Sequence, residues 1–267
     1  MSDYKQQVTD FFNARTAYDA EGDTHPNEAR RLLEYVSLKP GQTILDLATG
    51  TGLLAIAAAN QVTPDGSAIG VDFSSGMLKQ ARDKILAEGI NNLKLVEADV
   101  ELVNFDAEQF DIIFCCSALV YISDIPAILD KCYNWLKPGG CFAFSTPDKK
   151  SYLAEIRVEV CRDLFGIDLP HIIRPLWTPE KCRNVLQQSG FRNIKIERHQ
   201  YSKFKIKQNY NSVRIENEFY PRGNPLSDLS EAQKKLLQGE YQKAVEQLIA
   251  ERGEWRENNN LYVKAYK

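Results

Sequence analysis

The sequence lacks long apolar runs. Its longest runs, such as Leu53 to Ala59, reach only seven residues. A membrane-spanning helix needs about 20 apolar residues. The first residues, Met-Ser-Asp-Tyr-Lys, also lack the apolar stretch of a secretory signal. We therefore expect no membrane span and a soluble, cytoplasmic protein.

The chain also lacks an excess of either charge and any cysteine pair at metal-binding spacing. Lysine and arginine total 33 against 36 for aspartate and glutamate, which leaves a net charge of −3. Proteins that mainly neutralise nucleic-acid phosphates are basic, so we expect no nucleic-acid partner. None of the six cysteines forms a C-x-x-C pair, and no histidine completes a zinc pattern. We expect free thiols and no bound metal.

Short apolar strands alternate with helical patterns over the first 147 residues. We predict strands at 43–48, 67–73, 93–98, 110–116 and 141–145. We predict helices at 26–36 and 125–136, a helix that begins at about 53, and a helix that follows the second strand and ends at about 88. Their near-continuous apolar character suits parallel strands that are covered on both faces. The pattern predicts an α/β fold with a doubly wound, mostly parallel sheet and right-handed crossovers.

The C-terminal half is less regular. Thr178-Pro179-Glu180 is typical of a helix start, 191–207 alternates as a strand, and 261–266 resembles a closing strand. Two helical additions, about 148–177 and 209–255, interrupt this part; the second contains an amphipathic helix from Ser230. Because no linker or repeat separates these parts, we expect residues 1–267 to form a single domain.

A glycine-rich loop, Asp46-Leu47-Ala48-Thr49-Gly50-Thr51-Gly52, follows the first strand and opens a helix. Glycine lets the backbone come close to a ligand, and the amides of a helix N-terminus suit a carboxylate or phosphate. The same letters also fit a dinucleotide fingerprint with Ala55 in third place. The loop alone therefore indicates a ligand site without identifying the ligand.

Two aspartates follow the next two strands. Asp72 ends the second strand, 22 residues after Gly50, where a carboxylate can accept both hydroxyls of a ribose. Asp99 follows the third strand, where it could meet an adenine amino group. Ligands of such sheets bind outside the carboxyl ends of the strands. Three polar groups at successive strand ends therefore predict a nucleoside site.

These segments together resemble the class I S-adenosylmethionine-dependent methyltransferases. The matching pieces lie at 44–52, 70–78, 98–100 and 136–140, and the Asp-Leu-Ala-Thr-Gly-Thr-Gly wording is most similar to the quinone C-methyltransferase branch. The chain departs from that pattern in two ways. Ala48 replaces the usual first glycine, and the two C-terminal additions do not resemble that branch. The resemblance implies a Rossmann-like sheet of seven strands and S-adenosylmethionine as the cofactor.

The resemblance also implies residue roles. Asp46 would hold the loop or reach the cofactor's amino group through water, Asp72 would bind the ribose, and Asp99 would accept from adenine N6. The full implied cofactor set is Tyr18, Asp46, Ala48, Gly50, Gly52, Asp72, Phe73, Met77, Asp99, Val100, Cys116 and Ser117. Residues 1–40 would form a helical lid, 41–147 the cofactor-binding core, and the two additions the acceptor side.

A small molecule accepting the methyl group on oxygen, nitrogen or carbon is the expected acceptor. The fourth strand ends in Cys115-Cys116-Ser117-Ala118, without the Asn/Asp-Pro-Pro-Tyr of base-amino methyltransferases or the acidic residue of catechol-type magnesium enzymes. We therefore expect no metal. His171, in the first addition, is the first candidate for a catalytic base, and Tyr121 and Trp177 are candidate acceptor-pocket aromatics.

His25 is the second candidate base. It precedes a helix that we expect to begin at Pro26, and the dipole of that helix would favour a neutral imidazole. The run Arg192 to Arg214 has seven basic residues and one acid. We interpret it as a solvated strand face, with docking of an anionic or carrier-bound acceptor as the alternative.

Two other functions stay open at this point. An NAD-dependent oxidoreductase would use the same glycine loop and Asp72, although Asp46 and the Pro-Gly-Gly turn before the fifth strand favour a methyltransferase. A non-catalytic protein that binds S-adenosylmethionine is the third possibility. The sequence leaves the oligomeric state open.

Overall fold

A seven-stranded sheet forms the centre of the protein in a computed structural model, which describes residues 3–205, 219–252 and 255–267. The strands are β1 (Thr43–Leu47), β2 (Ser67–Asp72), β3 (Leu93–Glu97), β4 (Phe110–Cys115), β5 (Leu136–Pro147), β6 (Arg192–Lys205) and β7 (Trp255–Tyr266). The helices are α1 (Asp3–Asn13), α2 (Thr24–Tyr35), α3 (Leu53–Gln61), α4 (Ser75–Glu88), α5 (Ile125–Trp135), α6 (Ala154–Phe165), α7 (Pro179–Gln188) and α8 (Glu231–Arg252).

The strand order is β3-β2-β1-β4-β5-β7-β6. The first five strands run parallel, and β7 lies antiparallel between β5 and β6. The predicted doubly wound, mostly parallel sheet of seven strands is therefore confirmed. The order reverses between β1 and β4, and such a switch point opens a crevice at the carboxyl ends of the strands.

The core has two layers because neighbouring strand residues face opposite sides of the sheet. Ile44 of β1 packs with Leu32 of α2 and Ala58 of α3 on one face. On the other face, the next residue, Leu45, packs with Ile128 of α5. Both β1 side chains are completely buried. This burial explains why β1 reads as a continuous apolar run.

Local capping signals set the ends of several helices. Ser74 accepts a hydrogen bond from the backbone amide of Met77 at the start of α4, and Thr178 does the same for Lys181 at the start of α7. One predicted boundary was wrong: α2 begins at Thr24, so His25 lies inside the helix instead of before it. β5 also begins earlier than predicted, at Leu136, where it pairs with Phe110.

The C-terminal additions form a helical cap with a small core of its own. Cys161 of α6 packs with Leu237 of α8, and Tyr241 and Val245 continue the buried face of α8. The amphipathic helix predicted from Ser230 is therefore confirmed, and it begins at Glu231. Part of the second addition (209–218, 253 and 254) and the end of the basic run, from Lys207 to Arg214, lie outside the described residues.

Two findings concern expected absences. None of the helices in the described part of the chain is long and apolar enough to cross a membrane. Within the same residues, no three histidine, cysteine, aspartate or glutamate side chains cluster as a metal site would require. The six cysteines are free thiols, as predicted.

Candidate active site

A cavity of about 360 Å³ lies at the switch point of the sheet, under α1 and the segment that leads into α2. Its lining contains thirteen of the residues singled out in the sequence: Tyr18, His25, Asp46, Ala48, Gly50, Asp72, Phe73, Met77, Asp99, Val100, Cys116, Ser117 and Tyr121. Gly52, His171 and Trp177 are not in that lining. The three strand-end aspartates therefore meet in one cavity.

The glycine-rich loop turns through left-handed backbone conformations. Ala48 has φ +53° and Gly50 has φ +55°. Ala48 stands where the usual first glycine of the loop would be, and at this φ a residue with a Cβ is less favourable than glycine by about 1–2 kcal/mol. Gly52 serves packing: a Cβ there would lie 3.2 Å from Ile56 and 3.3 Å from Ala81. The loop thus needs one glycine at the cavity and another between α3 and α4.

Asp72 ties this loop to the end of β2. One carboxylate oxygen accepts from the amide of Gly50 and the other from the amide of Ser74, both at 2.8 Å. Burial raises the pKa of Asp72, while these backbone hydrogen bonds act in the opposite direction. The backbone of Phe73 also acts on this carboxylate. Because two carboxylate oxygens can together accept about four hydrogen bonds, acceptor capacity is left. Asp72 therefore holds the loop and keeps acceptor capacity.

Asp46 is a buried carboxyl group with one unused oxygen. Oδ2 accepts from the hydroxyl of Thr49 at 2.6 Å, while Oδ1 is buried and accepts no hydrogen bond within the described part of the chain. Burial raises the pKa of Asp46 to about 7; the bond from Thr49 acts against this shift and the charge of Asp72 adds to it. A buried oxygen without a donor suits a cationic or hydrogen-bonding ligand group.

Asp99 lies at the cavity beside the N-terminal helix. Its carboxylate accepts from Lys5 Nζ at 2.5 Å, and the same ammonium lies 2.8 Å from Glu101. Asp99 also accepts from the amide of Glu101 at 2.9 Å. The apolar lining nearby includes the buried side chains of Met77 and Val100. This region therefore places a hydrogen-bond acceptor, Asp99, next to the apolar side chains of Met77 and Val100.

The N-terminal segment covers the cavity and contributes aromatic rings to it. Tyr4 donates from its hydroxyl to the carbonyl of Tyr121 at 3.1 Å. The ring of Phe12 lies 5.6 Å from that of Tyr121 and 6.2 Å from that of Tyr18. Asn13 accepts from Ser74 and from the amide of Gly76. The cavity thus has an aromatic end under α1 and a polar end at the strands.

The loop after β4 supplies Cys116 and Ser117. The amide of Ser117 donates to Ser145 Oγ at 2.9 Å, and Cys116 Sγ lies 3.6 Å from the same oxygen. Ser117 has φ +53°, a strained conformation for serine. Burial raises the pKa of the Cys116 thiol well above its usual value, so this group stays protonated.

His171 and Trp177 are not brought into this cavity. His171 is 2% exposed, and burial, helped by the charges of Arg157 and Arg222, lowers its pKa to about 3. Such an imidazole is a weak base. Trp177 packs against the small core of the helical cap. These two residues therefore lie outside the lining of this cavity, which does not support the expectation that they wall the acceptor pocket; Trp177 instead packs with Val120 and Ile173.

Several cavity residues were missed in the sequence. Six of them lie on or just after α1, namely Tyr4, Lys5, Val8, Phe11, Phe12 and Arg15, and Glu28 lies on α2. The spacing of Tyr4, Phe11 and Phe12 is that of one helix face, which was the available signal. Glu28 carried no signal, because a glutamate in a helix is usually exposed. It is 3% exposed here.

The chain is similar to known methyltransferases over its core. Residues 44–140 match a family model described as "Methyltransferase domain". The chain is 30% identical to the aklanonic acid methyltransferase of Streptomyces sp. (strain C5), over 55% of this chain and 67% of that protein. It is 35% identical to a ubiquinone/menaquinone biosynthesis C-methyltransferase of Shewanella frigidimarina, over 52% of this chain and 60% of that protein. The matches thus span about two thirds or less of these relatives' length.

Solved structures share the fold at low identity. The YcgJ protein of Bacillus matches with a TM-score of 0.58 and 15% identity, over 91% of this chain and 99% of that one. A Haemonchus contortus phosphoethanolamine N-methyltransferase, bound to phosphomonomethylethanolamine and S-adenosylhomocysteine, matches with a TM-score of 0.55 and 20% identity, over 90% of this chain and 52% of that one. At such identities the likeness shows the fold alone.

Proposed function

The chain belongs to the class I S-adenosylmethionine-dependent methyltransferases, and from this membership we propose that it methylates a small, ring-containing acceptor without a metal ion. The cavity supports this proposal because it joins a polar end to an aromatic end. The polar end suits the cofactor, and the aromatic end suits a flat acceptor. Whether oxygen, nitrogen or carbon receives the methyl group is a matter for experiment.

The observation that carries the proposal is the unused buried Oδ1 of Asp46. S-adenosylmethionine has a cationic amino group in its methionine part, and a buried carboxylate is stabilised by such a group. Asp72 would hold the ribose through its remaining acceptor capacity, and Asp99 would accept from the adenine amino group. When bound, the cofactor supplies an activated sulfonium methyl group. The chain then has to align the acceptor and exclude water, and alignment can lower the barrier by about 7–11 kcal/mol.

The aromatic end of the cavity supports a ring-containing acceptor. Phe12, Tyr18 and Tyr121 line it, and aromatic side chains pack well against flat rings. Two similar proteins are named for aklanonic acid methylation and for ubiquinone/menaquinone biosynthesis. Arg15 also lines the cavity, although it is paired with Glu21. An acceptor with an anionic group is therefore the variant of this proposal to test first.

The other two functions have less support. The relatives are methyltransferases, so the comparisons do not favour an NAD-dependent oxidoreductase. A non-catalytic protein that binds S-adenosylmethionine would use the same Asp46 and Asp72, and only turnover separates it from an enzyme. The cytoplasmic location stays a prediction.

Turnover with methyl-labelled S-adenosylmethionine tests the proposal. Phenols, hydroquinones, amines and carboxylic acids are supplied in turn, and the methylated product and S-adenosylhomocysteine are measured by mass spectrometry, with and without EDTA. We expect labelled product from a ring-containing acceptor in both conditions. Loss of turnover in EDTA, restored by magnesium, would contradict metal independence.

The Asp72→Ala variant should bind the cofactor about tenfold more weakly or worse, since charge-assisted hydrogen bonds contribute about 1.5–3 kcal/mol. Asp83→Ala, on an exposed face of α4, is the control.

A further inference from the structure

We propose that Glu28 is a positioning residue for proton removal: it holds the imidazole of His25 so that the second ring nitrogen takes the proton of an acceptor hydroxyl. This inference rests on the function proposed above. It commits that function to an acceptor with a phenolic or enolic hydroxyl. The pair belongs to α2 and lies at the cavity, at the side of the aromatic residues.

Glu28 is a buried carboxylate that is anchored from two directions. It is 3% exposed and lines the cavity. Its Oε2 accepts from the hydroxyl of Ser117, after β4, at 2.7 Å, and its Oε1 accepts from the side-chain amide of Asn260 on β7. Burying a carboxylate is costly unless hydrogen bonds and an opposite charge compensate it. Both oxygens are therefore fixed, and what the site still needs is a cation.

His25 is placed to supply that positive charge. Its Nδ1 lies 3.6 Å from Glu28 Oε2, one helical turn away. Among the described residues, no lysine or arginine lies within ion-pair distance of Glu28. The distance slightly exceeds a hydrogen bond, and contacts of this kind often shorten when substrate binds. The ring also stacks on Tyr18, with centroids 4.8 Å apart and planes 18° apart.

This geometry selects one tautomer of the imidazole. A neutral imidazole carries one proton, and a carboxylate beside Nδ1 favours that proton on Nδ1. The lone pair on Nε2 is then the one that can take a proton. Because His25 lines the cavity, an acceptor hydroxyl bound there can reach it. Sequence spacing alone suggested a neutral His25 but gave no reason for one nitrogen to be the base.

The proton and electron balance is simple. The O–H bond of the acceptor breaks, its proton goes to His25 Nε2, and Glu28 neutralises the imidazolium that forms. The electron pair left on oxygen, directly or through a conjugated ring, bonds the methyl carbon. The carbon–sulfur bond breaks with its pair on sulfur, which leaves a neutral thioether. His25 then returns the proton to water.

The other groups near the ring do not replace Glu28. Burial raises the pKa values of the Tyr18 hydroxyl and the Cys116 thiol, so both stay neutral. The guanidinium of Arg15 lies 4.3 Å from the Tyr18 ring and pairs with Glu21 at 2.8 Å. The side chains of Tyr18 and Cys116 are thus neutral, and the charges of Arg15 and Glu21 compensate each other. Glu21 also carries a charge near His25, but it already pairs with Arg15, so Glu28 is the carboxylate beside the ring that no lysine or arginine compensates among the described residues.

Nitrogen-15 NMR of the wild-type protein tests the tautomer without any acceptor. The chain has three histidines, so His25→Gln identifies the signal of His25. We expect the Nδ1–H tautomer in the wild type, both alone and with S-adenosylhomocysteine. In Glu28→Gln we expect a loss of that preference. An Nε2–H tautomer in the wild type, or a spectrum of His25 that Glu28→Gln leaves unchanged, would overturn the proposal.

Kinetics with 1,4-naphthohydroquinone as the probe acceptor test the role in turnover. A general base contributes about 10²–10⁴-fold, so His25→Gln should lower kcat by about a hundredfold or more and Glu28→Gln by about tenfold or more. The double variant should be no slower than His25→Gln. Glu34→Gln, on an exposed turn of the same helix, is the control.

The outcomes separate this inference from the proposed function. A purely structural role of Glu28 would give additive losses and a lower melting temperature, with the tautomer of His25 unchanged, and would overturn the inference. All single variants should keep the wild-type affinity for S-adenosylmethionine within about twofold, since none removes Asp46 or Asp72. Failure of the wild type to bind the cofactor would instead overturn the proposed function. Cofactor binding without turnover of any hydroxyl-bearing probe would overturn the acceptor class.

Discussion

Asp46 shows how one buried oxygen determines the behaviour of the site. Its carboxyl group is 2% exposed, and Oδ1 has no donor within the described residues. Burial raises its pKa from 3.8 to about 7. The folded protein without ligand therefore favours the protonated group, and it loses stability as pH rises from about 4 to about 7. A cationic ligand group would reverse this preference.

We therefore predict that the affinity for S-adenosylmethionine increases with pH up to about 7 and then levels off. Below that pH, binding has to remove a proton from Asp46, so the dissociation constant should rise toward about tenfold per pH unit. Calorimetry between pH 5.5 and 8.5 measures this. Asp46→Asn should bind more weakly and lose the pH dependence. An equally steep profile in Asp46→Asn would assign the effect to another group.

His171 is expected to act on stability and not on turnover. It is buried in the helical cap, and burial lowers its pKa from 6.5 to about 3. Between these two values His171 is protonated in the unfolded chain but neutral in the folded protein. The protein therefore loses stability as pH falls from about 6.5 toward 3. His171→Gln should lower the melting temperature and leave kcat within about twofold of wild type. A loss of kcat like that of His25→Gln would restore His171 as a catalytic base.

At the scale of elements, Gly50 and Gly52 in the loop between β1 and α3 have different surroundings. A Cβ at Gly50 would meet no atom within 4 Å, and Gly50 lines the cavity. A Cβ at Gly52 would crowd Ile56 and Ala81. Both have positive φ, so alanine costs about 1–2 kcal/mol of backbone strain at either position. The difference between the two substitutions therefore reports their surroundings.

We predict that Gly50→Ala mainly weakens cofactor binding, while Gly52→Ala mainly lowers stability. Overpacking between α3 and α4 should add about 1–3 kcal/mol to the loss at Gly52. Urea unfolding and calorimetry on the two variants measure both quantities. Equal losses of stability would mean that the helices make room for the added methyl group.

Helix α1 is attached over the cavity by few contacts, and Lys5 makes two of them. Its ammonium bridges Asp99 and Glu101 at 2.5 and 2.8 Å. These groups are less than one fifth exposed, so the contacts are stronger than an ordinary surface pair. The N-terminal segment was expected to act as a lid, and these contacts are among those that hold it at the strand ends.

We predict that Lys5→Met speeds the release of S-adenosylmethionine about five- to thirtyfold, which corresponds to about 1–2 kcal/mol of lost contact. Stopped-flow release of the bound cofactor measures the rate. Lys79→Met is the control, because its ammonium pairs with Asp83 on an exposed face of α4. An unchanged release rate would show that α1 stays in place without Lys5.

At the scale of the whole molecule, the cavity joins elements that are far apart in the sequence. α1, α2, the ends of β1 and β2, and the loops that follow β1, β3 and β4 all line it. A ligand bound there would contact these strand ends, the loops and the N-terminal helices. It should therefore stabilise the folded protein as a unit.

S-adenosylmethionine at about 100 times its dissociation constant should add about 2.7 kcal/mol of stability. For a chain of this size this raises the melting temperature by about 5–10 °C. NAD at the same concentration should leave it unchanged. Thermal-shift measurements with each ligand added separately compare the two melting temperatures. A shift with NAD alone would favour the oxidoreductase and contradict the assignment of Asp46.

The sequence by itself determined the sheet and most of the strand-end residues that line the cavity. Parallel strands carry apolar runs, and polar groups at their carboxyl ends meet wherever such strands are neighbours, so Asp46, Asp72 and Asp99 could be placed from the order of the elements. Eleven of the twelve expected cofactor residues line the cavity, and the exception is Gly52.

Only the tertiary structure decided the acceptor side. His171 is buried outside the cavity lining, and the seating of α2 on the sheet brings Glu28 to Ser117 and Asn260. These partners are up to 232 residues apart in the chain. No periodicity encodes such a meeting, because helical spacing predicts which face of a helix is apolar but not which distant side chains that face will contact.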